Sequence, residues 1–354
     1  FAELAHILRL RYKAKIVLLG VEAERPLGEE FTKLDTGPSI SFFGKTSLGV
    51  LAAVLERSKL LVTNDTGTMH VAAAVRCPTV LVSVGTVHFR ETGPYAPGNY
   101  AIESTIKPDL KTPLISGDQF GFEMRAAIKP DAVAKAVDLL LNDGNQHPSI
   151  PEEECLKDVV IYRSDFAPDG CLEWYPVICR EFCDTDLFRM AFRSMWLSVL
   201  VPEGCFDKSE RIEVDVLTRM LKCFRPADDV HKLRYSSDSA KDALRALADM
   251  AAEGIKNTEN LIELLQVNKY AASQEYVRSL MNLDEKIRLL GELHPEIKPL
   301  TSAAGFERNN LEGSNPLSLA QATWQIYHEL QTRCRAMEGK LDRIMALYES
   351  VFYS

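Results

Sequence analysis

The sequence predicts an α/β fold: a doubly wound parallel sheet in its first part, followed by a mainly α-helical part. Three observations carry this. Up to about residue 142, short apolar runs alternate with amphipathic stretches. The connections between them are short, as in β–α–β units. From residue 187 onward nearly every stretch repeats its apolar residues at a helical period.

The elements follow in order. Residues 2–12 read as a helix. Residues 16–19 (Ile-Val-Leu-Leu), stopped by Gly20, suit a strand buried on both faces. Residues 40–43 form a second apolar run ended by Gly44. Residues 47–57 read as a helix with Leu48, Leu51, Ala52 and Leu55 on one face. Residues 60–63 and 79–82 are further strands, with a helix over 67–75 between them. Pro130 opens a helix that runs to Leu141, because proline suits the first helical turn. Residues 159–162 are one more strand. A long helical stretch spans 237–293, with breaks expected near Gly254 or Asn268, and Pro295, Pro299 and Gly305 mark a loop. Ser314-Asn315-Pro316 is a helix start. The last helix carries Tyr327, Leu330, Cys334, Met337, Leu341, Ile344 and Tyr348 at alternating spacings of three and four, an a/d seam. Its expected partner is the similar stripe of Tyr276, Leu280, Leu283, Ile287 and Leu290, giving a coiled-coil hairpin within 237–350.

The polar, proline-broken stretch 144–151 (Gly-Asn-Gln-His-Pro-Ser-Ile-Pro) is the expected boundary, giving units 1–146 and 147–354. Charge supports the division. Residues 1–150 hold 16 basic and 16 acidic side chains, whereas 151–354 hold 25 and 34. The whole chain of 354 residues carries a net charge of −9, which argues against nucleic acid as a partner. No run of about 18 apolar residues predicts a membrane span. Eight cysteines without a regular framework suit a reducing compartment. A cytoplasmic location follows as the expectation, with peripheral attachment to an inner membrane as an extension of it. The chain opens Phe1-Ala2-Glu3-Leu4 without an initiator Met, so it reads as the middle of a longer protein.

The stretch Thr63-Asn64-Asp65-Thr66-Gly67-Thr68-Met69-His70 carries the chemistry. A strand ends, a polar turn follows and a helix starts. The first N–H groups of a helix lack internal partners and sit at its positive end, so such a turn can hold a phosphate. Thr66 and Thr68 add hydroxyl donors, Gly67 allows close approach to the backbone, and His70 lies near the end of the first turn. Asp65 cannot bind phosphate but can accept hydrogen bonds from sugar hydroxyls. Together they suggest a sugar-bearing nucleotide. The alternative is purely structural: Asp65 and Thr66 cap a helix and His70 is an interior histidine.

A wider set of residues occurs in one order: Gly44-Lys45-Thr46-Ser47-Leu48, Leu51-Ala52-Ala53, Asn64 to Ala74, Pro78, Gly85-Thr86, Thr92-Gly93-Pro94-Tyr95, and Ile128 to Val133. The set resembles the C-terminal half of glycosyltransferase family 9, the ADP-heptose:lipopolysaccharide heptosyltransferases, over residues 1–142. The resemblance implies a Rossmann-like lobe of the two-lobed GT-B arrangement, with a nucleotide-diphosphate sugar such as ADP-heptose as donor. It places Glu24 on the nucleoside ribose, with Glu22 as a competitor, and Thr46 near the base or ribose. Asp65, Thr66, Gly67, Thr68 and His70 would surround the diphosphate and donor sugar. His70 would help stabilise the leaving group. Gly85-Thr86 and Thr92-Gly93-Pro94 fall on loops at the cleft rim, as contacts or as turn residues.

The implied reaction is an inverting displacement onto an acceptor hydroxyl of lipopolysaccharide core, another glycan or a protein. It requires no cofactor and no metal. Asp184-Thr185-Asp186 lies outside the resembling part. The family's general base is a carboxylate of the other lobe, so residues 1–354 are expected to lack a complete active site. Two further functions stay open: a GT-B sugar-nucleotide epimerase, and a non-catalytic nucleotide fold carrying a helical interaction module.

Cys155, Cys171, Cys179 and Cys183 could ligate a metal, although buried thiols are the more ordinary arrangement and Cys179/Cys183 would suit one helix face. The aromatic and charged stretch 162–176 could recognise an acceptor or pack the extra domain onto the sheet. The stripe within 315–350 could also bind a partner helix or a second copy.

Overall fold

Backbone pairing starts where the apolar runs predict it. A computed structural model describes residues 1–84, 88–106, 123, 125–142, 154–200 and 209–353. After helix α1 (Ala2–Tyr12), strand β1 (Ile16–Leu18) pairs in parallel with β2 (Ser39–Ser41). Between them lie a 3-10 turn (Glu22–Glu24) and α2 (Arg25–Leu34). Then come α3 (Leu48–Glu56), β3 (Leu61–Thr63), α4 (Gly67–Ala74), β4 (Thr79–Ser83), α5 (Phe89–Thr92), β5 (Tyr100–Ser104) and α6 (Pro130–Leu141). Strands β3, β4 and β5 run parallel. Two more strands, β6 (Val159–Phe166) and β7 (Leu172–Pro176), extend the same sheet antiparallel, in the order β3-β4-β5-β6-β7.

The alternation of side chains along these strands makes the sheet two-sided. Val80 and Val82 of β4, Tyr100 and Ile102 of β5, and Val159 and Ile161 of β6 form one core with Leu4 and Leu8 of α1 and Ala132, Val133, Ala136 and Val137 of α6. The intervening residues Leu81, Ala101, Val160 and Tyr162 face the other way, onto Met69 of α4 and Phe89 of α5. A period of two on the strands thus fills two cores with helices on both sides. The strand starts are tied by buried polar groups. Asn99 accepts the Thr79 N–H at 2.9 Å and receives a backbone bond from Ser164, while the Ser164 hydroxyl accepts the Asn99 N–H.

Three features differ from the sequence reading. Strand β1 is only half-buried, and Ile40 of β2 is exposed, because β2 is paired on one side only. Leu48 is exposed and only Leu55 of α3 is buried, so the expected apolar face narrows to the helix end. The compact units are Phe1–Arg180 and Glu181–Ser354, and the expected boundary at 146 lies outside the described residues. The reason is hydrogen bonding: the stretch 162–176 is the β6–β7 hairpin, an integral part of the first sheet.

The second unit is helical: α7 (Asp184–Leu200), α8 (Glu210–Leu221), α9 (Val230–Gln266), α10 (Tyr270–Leu293), α11 (Lys298–Asn309) and α12 (Pro316–Tyr353). Every residue of the Tyr327-to-Tyr348 stripe is buried. Its partner, however, is α9 rather than the expected 276–290 stripe. Ion pairs record the antiparallel register: Arg234–Glu349 at 2.8 Å, Lys241–Asp342 at 2.9 Å and Arg245–Glu338 at 2.5 Å. Such surface pairs contribute about 0–1 kcal/mol each, so apolar burial along the seam dominates. The stripe is therefore used inside the chain and is not an open surface for a partner helix. Residues 276–290 fold back along α9 instead, since the chain reverses at Asn268, whose φ of 58° is left-handed. Gly254 does not break α9. Its missing side chain makes room for the Tyr327 ring.

Residues 295–305 are not a loop. Pro295 opens a 3-10 turn and Pro299 sits in the first turn of α11, both positions that proline tolerates, and Ile297 and Leu300 are fully buried. Beneath the helices, Glu213 receives Lys340 at 2.5 Å and Arg343 at 2.7 Å, and the Ser194 hydroxyl donates to it. Burial acts to raise the Glu213 pKa, but Lys340 and Ser194 outweigh it and hold the carboxyl below the usual range.

Gly254→Ala is expected to destabilise the protein by about 1–3 kcal/mol, although alanine is the better helix former, because its methyl group would strike the Tyr327 ring. Denaturant unfolding measures this; a stabilised variant would contradict the packing. Leu341→Ala should cost more, about 2–5 kcal/mol.

Candidate nucleotide-sugar site

Parallel pairing sends the loops after β3 and β4 out of the same sheet edge, where open α/β sheets place ligands. After Thr63 the chain turns through Asn64, Asp65 and Thr66 into α4. Thr66 is extended, with φ −147° and ψ 161°, and its side chain makes no capping bond. Its hydroxyl instead lies 3.3 Å from that of Thr63, which donates to the Asn64 carbonyl at 2.9 Å. The Asp65 carboxylate accepts a hydrogen bond from the Thr92 hydroxyl. Neither side chain is thus spent on capping the helix, contrary to the structural alternative.

Met69 and Ala72 anchor α4 in the core, which turns Asp65, Thr66, Gly67 and His70 to the exposed side and leaves Thr68 half-buried. His70 is therefore not an interior histidine. Nothing lies within 4 Å of the place a Cβ would occupy on Gly67, so the first turn of α4 is open to approach.

The other donor candidates gather after β1 and β2. The Glu24 carboxylate accepts the Val21 N–H at 2.9 Å and remains exposed. Glu22 forms a two-pronged pair with Arg25, both contacts at 2.6 Å, and Arg25 also donates to the Phe43 carbonyl. The hydrogen bonds from Arg25 hold the Glu22 carboxyl below its usual pKa. Gly44 is left-handed at φ 66°, and a Cβ there would collide with the Glu22 carboxylate. Thr46, half-buried, follows directly. No hydrogen bond or ion pair joins Glu24 or Thr46 to the Asp65 loop among the described residues. Gly85-Thr86 falls outside the described residues.

Sequence reasoning missed the group beside Thr92. Helix α5 is capped by His88, whose Nδ1 accepts the Arg90 N–H at 3.2 Å. That assignment leaves a proton on Nε2, which sits 3.3 Å from Glu103. Phe89 packs between Tyr162 and Trp174, at ring distances of 5.0 and 5.2 Å. Arg90 donates to Glu173 at 2.9 Å and to the Trp174 carbonyl at 3.1 Å, with its guanidinium 4.8 Å from the Tyr162 ring. Burial pushes the Glu103 pKa up, but the bond and charge of His88, the Tyr162 hydroxyl and the Arg90 charge together outweigh it, and the carboxyl is held below its ordinary range. Burial, with Glu103 beside it, pushes Tyr162 up to about 12. The available signal was a glutamate in each of two otherwise apolar strands, Tyr-Ala-Ile-Glu and Leu-Glu-Trp-Tyr.

Among the described residues no group of three or more His, Cys, Asp or Glu is placed to hold a metal. Cys179 and Cys183 do not share a helix face, because α7 begins only at Asp184. Asp186 accepts from the Cys183 N–H and thiol, so the Asp-Thr-Asp stretch caps that helix. A polar cavity lined by Arg11, Asp131, Lys135, Asp138 and Cys155 shares no residue with the candidate site. No described helix is long and apolar enough to cross a membrane.

Residues 1–113, about a third of the chain, match the family model of glycosyltransferase family 9 (heptosyltransferase). No curated protein matches the chain, and no solved structure does.

The folded protein should lose stability as pH falls through and below the ordinary glutamate range, near about 4.3. A carboxyl whose folded pKa is depressed stabilises above that range and ceases to do so once protonated. Glu103→Gln should flatten the acid limb of a stability–pH curve, and an unaltered limb would show that Glu103 contributes nothing there.

Proposed function

We propose that the first unit is the donor-binding lobe of a glycosyltransferase that moves a sugar from a nucleotide-diphosphate donor to an acceptor hydroxyl with inversion. The observation that carries the reading is the Asp65 carboxylate, held by Thr92 and uncommitted to the backbone, at the open first turn of α4 within a family 9 segment.

In this reading the chemistry is electrostatic. Attack by the acceptor oxygen on the anomeric carbon releases a nucleoside diphosphate, and negative charge grows on the departing phosphate oxygen. The unpaired N–H groups of α4 meet that charge without reorganising. The Thr66 and Thr68 hydroxyls add donors, and His70 donates to the same oxygen. Asp65 accepts from hydroxyls of the donor sugar. Glu24 keeps lone pairs beyond its bond to Val21 and accepts from the ribose, with Thr46 beside it. Glu24 suits this role better than Glu22, whose carboxylate is held and neutralised by the two-pronged pair with Arg25. No metal is needed, because the helix terminus and hydroxyls carry the charge. No general base is assigned within residues 1–354; the base and the acceptor site belong to the second lobe of the family arrangement. An ADP-heptose-like donor and a lipopolysaccharide-core or other glycan acceptor are the substrates proposed, at the cytoplasmic side.

Calorimetric titration with ADP-, GDP- and UDP-sugars tests the reading. One of them should bind, and Asp65→Ala should weaken it at least about tenfold, as expected for lost hydrogen bonds to a charged group, with unfolding unchanged. No binding by any of the three would remove the enzyme reading and favour a nucleotide fold that serves as a scaffold for the helical unit.

A further inference from the structure

We infer that the β6–β7 hairpin, which lies beyond the family 9 segment, is a strut that sets the position of the Asp65 carboxylate through α5, with Thr92 and Glu173 as positioning residues. This rests on the donor-site reading for its consequence in binding, but the strut itself is a matter of contacts.

The chain of contacts is continuous. Glu173 of β7 is 5% exposed and holds the Arg90 guanidinium at 2.9 Å. Arg90 also reaches the neighbouring Trp174 carbonyl at 3.1 Å and lies over the rings of Phe89 and Tyr162. Phe89 is buried between aromatic rings of β6 and β7. At the start of α5, His88 is tied to Glu103 of β5. A four-residue helix has little stability of its own, so these side-chain contacts, rather than its backbone, fix where it sits. Its last residue is Thr92, which donates to Asp65. The exit is fixed as well. Gly93 donates to the Phe89 carbonyl at 2.7 Å, and a Cβ on Gly93 would collide with that same oxygen.

Asp65 needs such a support. Its loop joins a three-residue strand to α4, and its own side chain takes no part in a helix cap. An exposed carboxylate without a fixed partner samples several rotamers, and ordering it on binding costs affinity. Thr92 selects one rotamer beforehand, and buried Glu173 keeps Thr92 in place. The arrangement also gives β6 and β7 a reason to be in the sheet: they supply Tyr162, Glu173 and Trp174, the wall against which α5 rests.

Two measurements on the whole chain separate the strut from the donor reading. The first is hydrogen–deuterium exchange of the peptide covering 61–70, which needs no ligand. Thr92→Val and Glu173→Gln should each speed exchange at 64–67 at least threefold, while exchange in the second unit stays unchanged. Thr92→Ser, which keeps the hydroxyl, should restore the slow rate. Unchanged exchange in both variants overturns the strut. Faster exchange in every peptide of Glu173→Gln would mark a general loss of fold; Thr92→Val then decides alone, and unchanged exchange in it overturns the strut. The second is titration with ADP. If the unaltered protein binds ADP or its sugar conjugate and Thr92→Val binds three- to tenfold more weakly with rescue by Thr92→Ser, the strut acts on the site. If the exchange result holds but the unaltered protein binds no nucleotide, the donor reading fails and the strut stands as a structural device.

Discussion

Strand β4 is the constraint on which the first unit depends. It is hydrogen-bonded in parallel on both sides, to β3 and to β5, and its Val80 and Leu81 are fully shielded from water. Parallel pairing leaves no freedom in where the following loops emerge. The turn after β3 carries Asp65, and the segment after β4 leads into α5 and Thr92. The hydrogen bond between them is therefore a consequence of register as much as of chemistry. The same strand separates the two cores, so α4 and α5 share one face while α1 and α6 share the other.

Much of this was legible in the sequence because parallel strands buried on both faces read as unbroken apolar runs. Thr-Val-Leu-Val at 79–82 is the plainest case and is also the most deeply buried strand. The Asp65 turn was legible for a different reason: a strand end, small polar residues and a helix start follow each other without a gap. What escaped was long-range. Nothing local in Thr92-Gly93-Pro94 says that its hydroxyl meets residue 65, and nothing near Glu173 announces Arg90, which lies 83 residues away. Strand β5 was missed because its apolar run, Tyr-Ala-Ile, is cut short by Glu103, a charge whose partner His88 is supplied by another segment. That the β6–β7 hairpin joins the first sheet was not legible, because antiparallel strands added to a parallel sheet carry no signal of which sheet they join.

The helical unit shows the opposite pattern. The stripe from Tyr327 to Tyr348 identified a buried face correctly, yet its partner was misassigned. Two stripes of the same period are interchangeable on paper. The choice between them is made by the left-handed residue Asn268, which reverses the chain, and by Gly254, which admits the Tyr327 ring. The Tyr327 hydroxyl then donates to Asp284 of α10 at 2.5 Å, so one aromatic side chain packs on one helix and bonds to another. Proline was equally ambiguous: Pro295 and Pro299 look like breakers but stand where helices begin.

The long antiparallel pair has a consequence for how this chain can change length. Helices α9 and α12 run for 37 and 38 residues, and their facing positions stay matched from Arg234–Glu349 to Trp324–Glu259. Each residue advances an α-helix by about 100°, so inserting one amino acid in either helix would swing everything beyond it off the interface. Seven added together bring the pattern back to within about 20°. Over evolutionary time, α9 and α12 can therefore grow or shrink only in such blocks and only in concert, whereas the turn at 311–315 is free of that arithmetic.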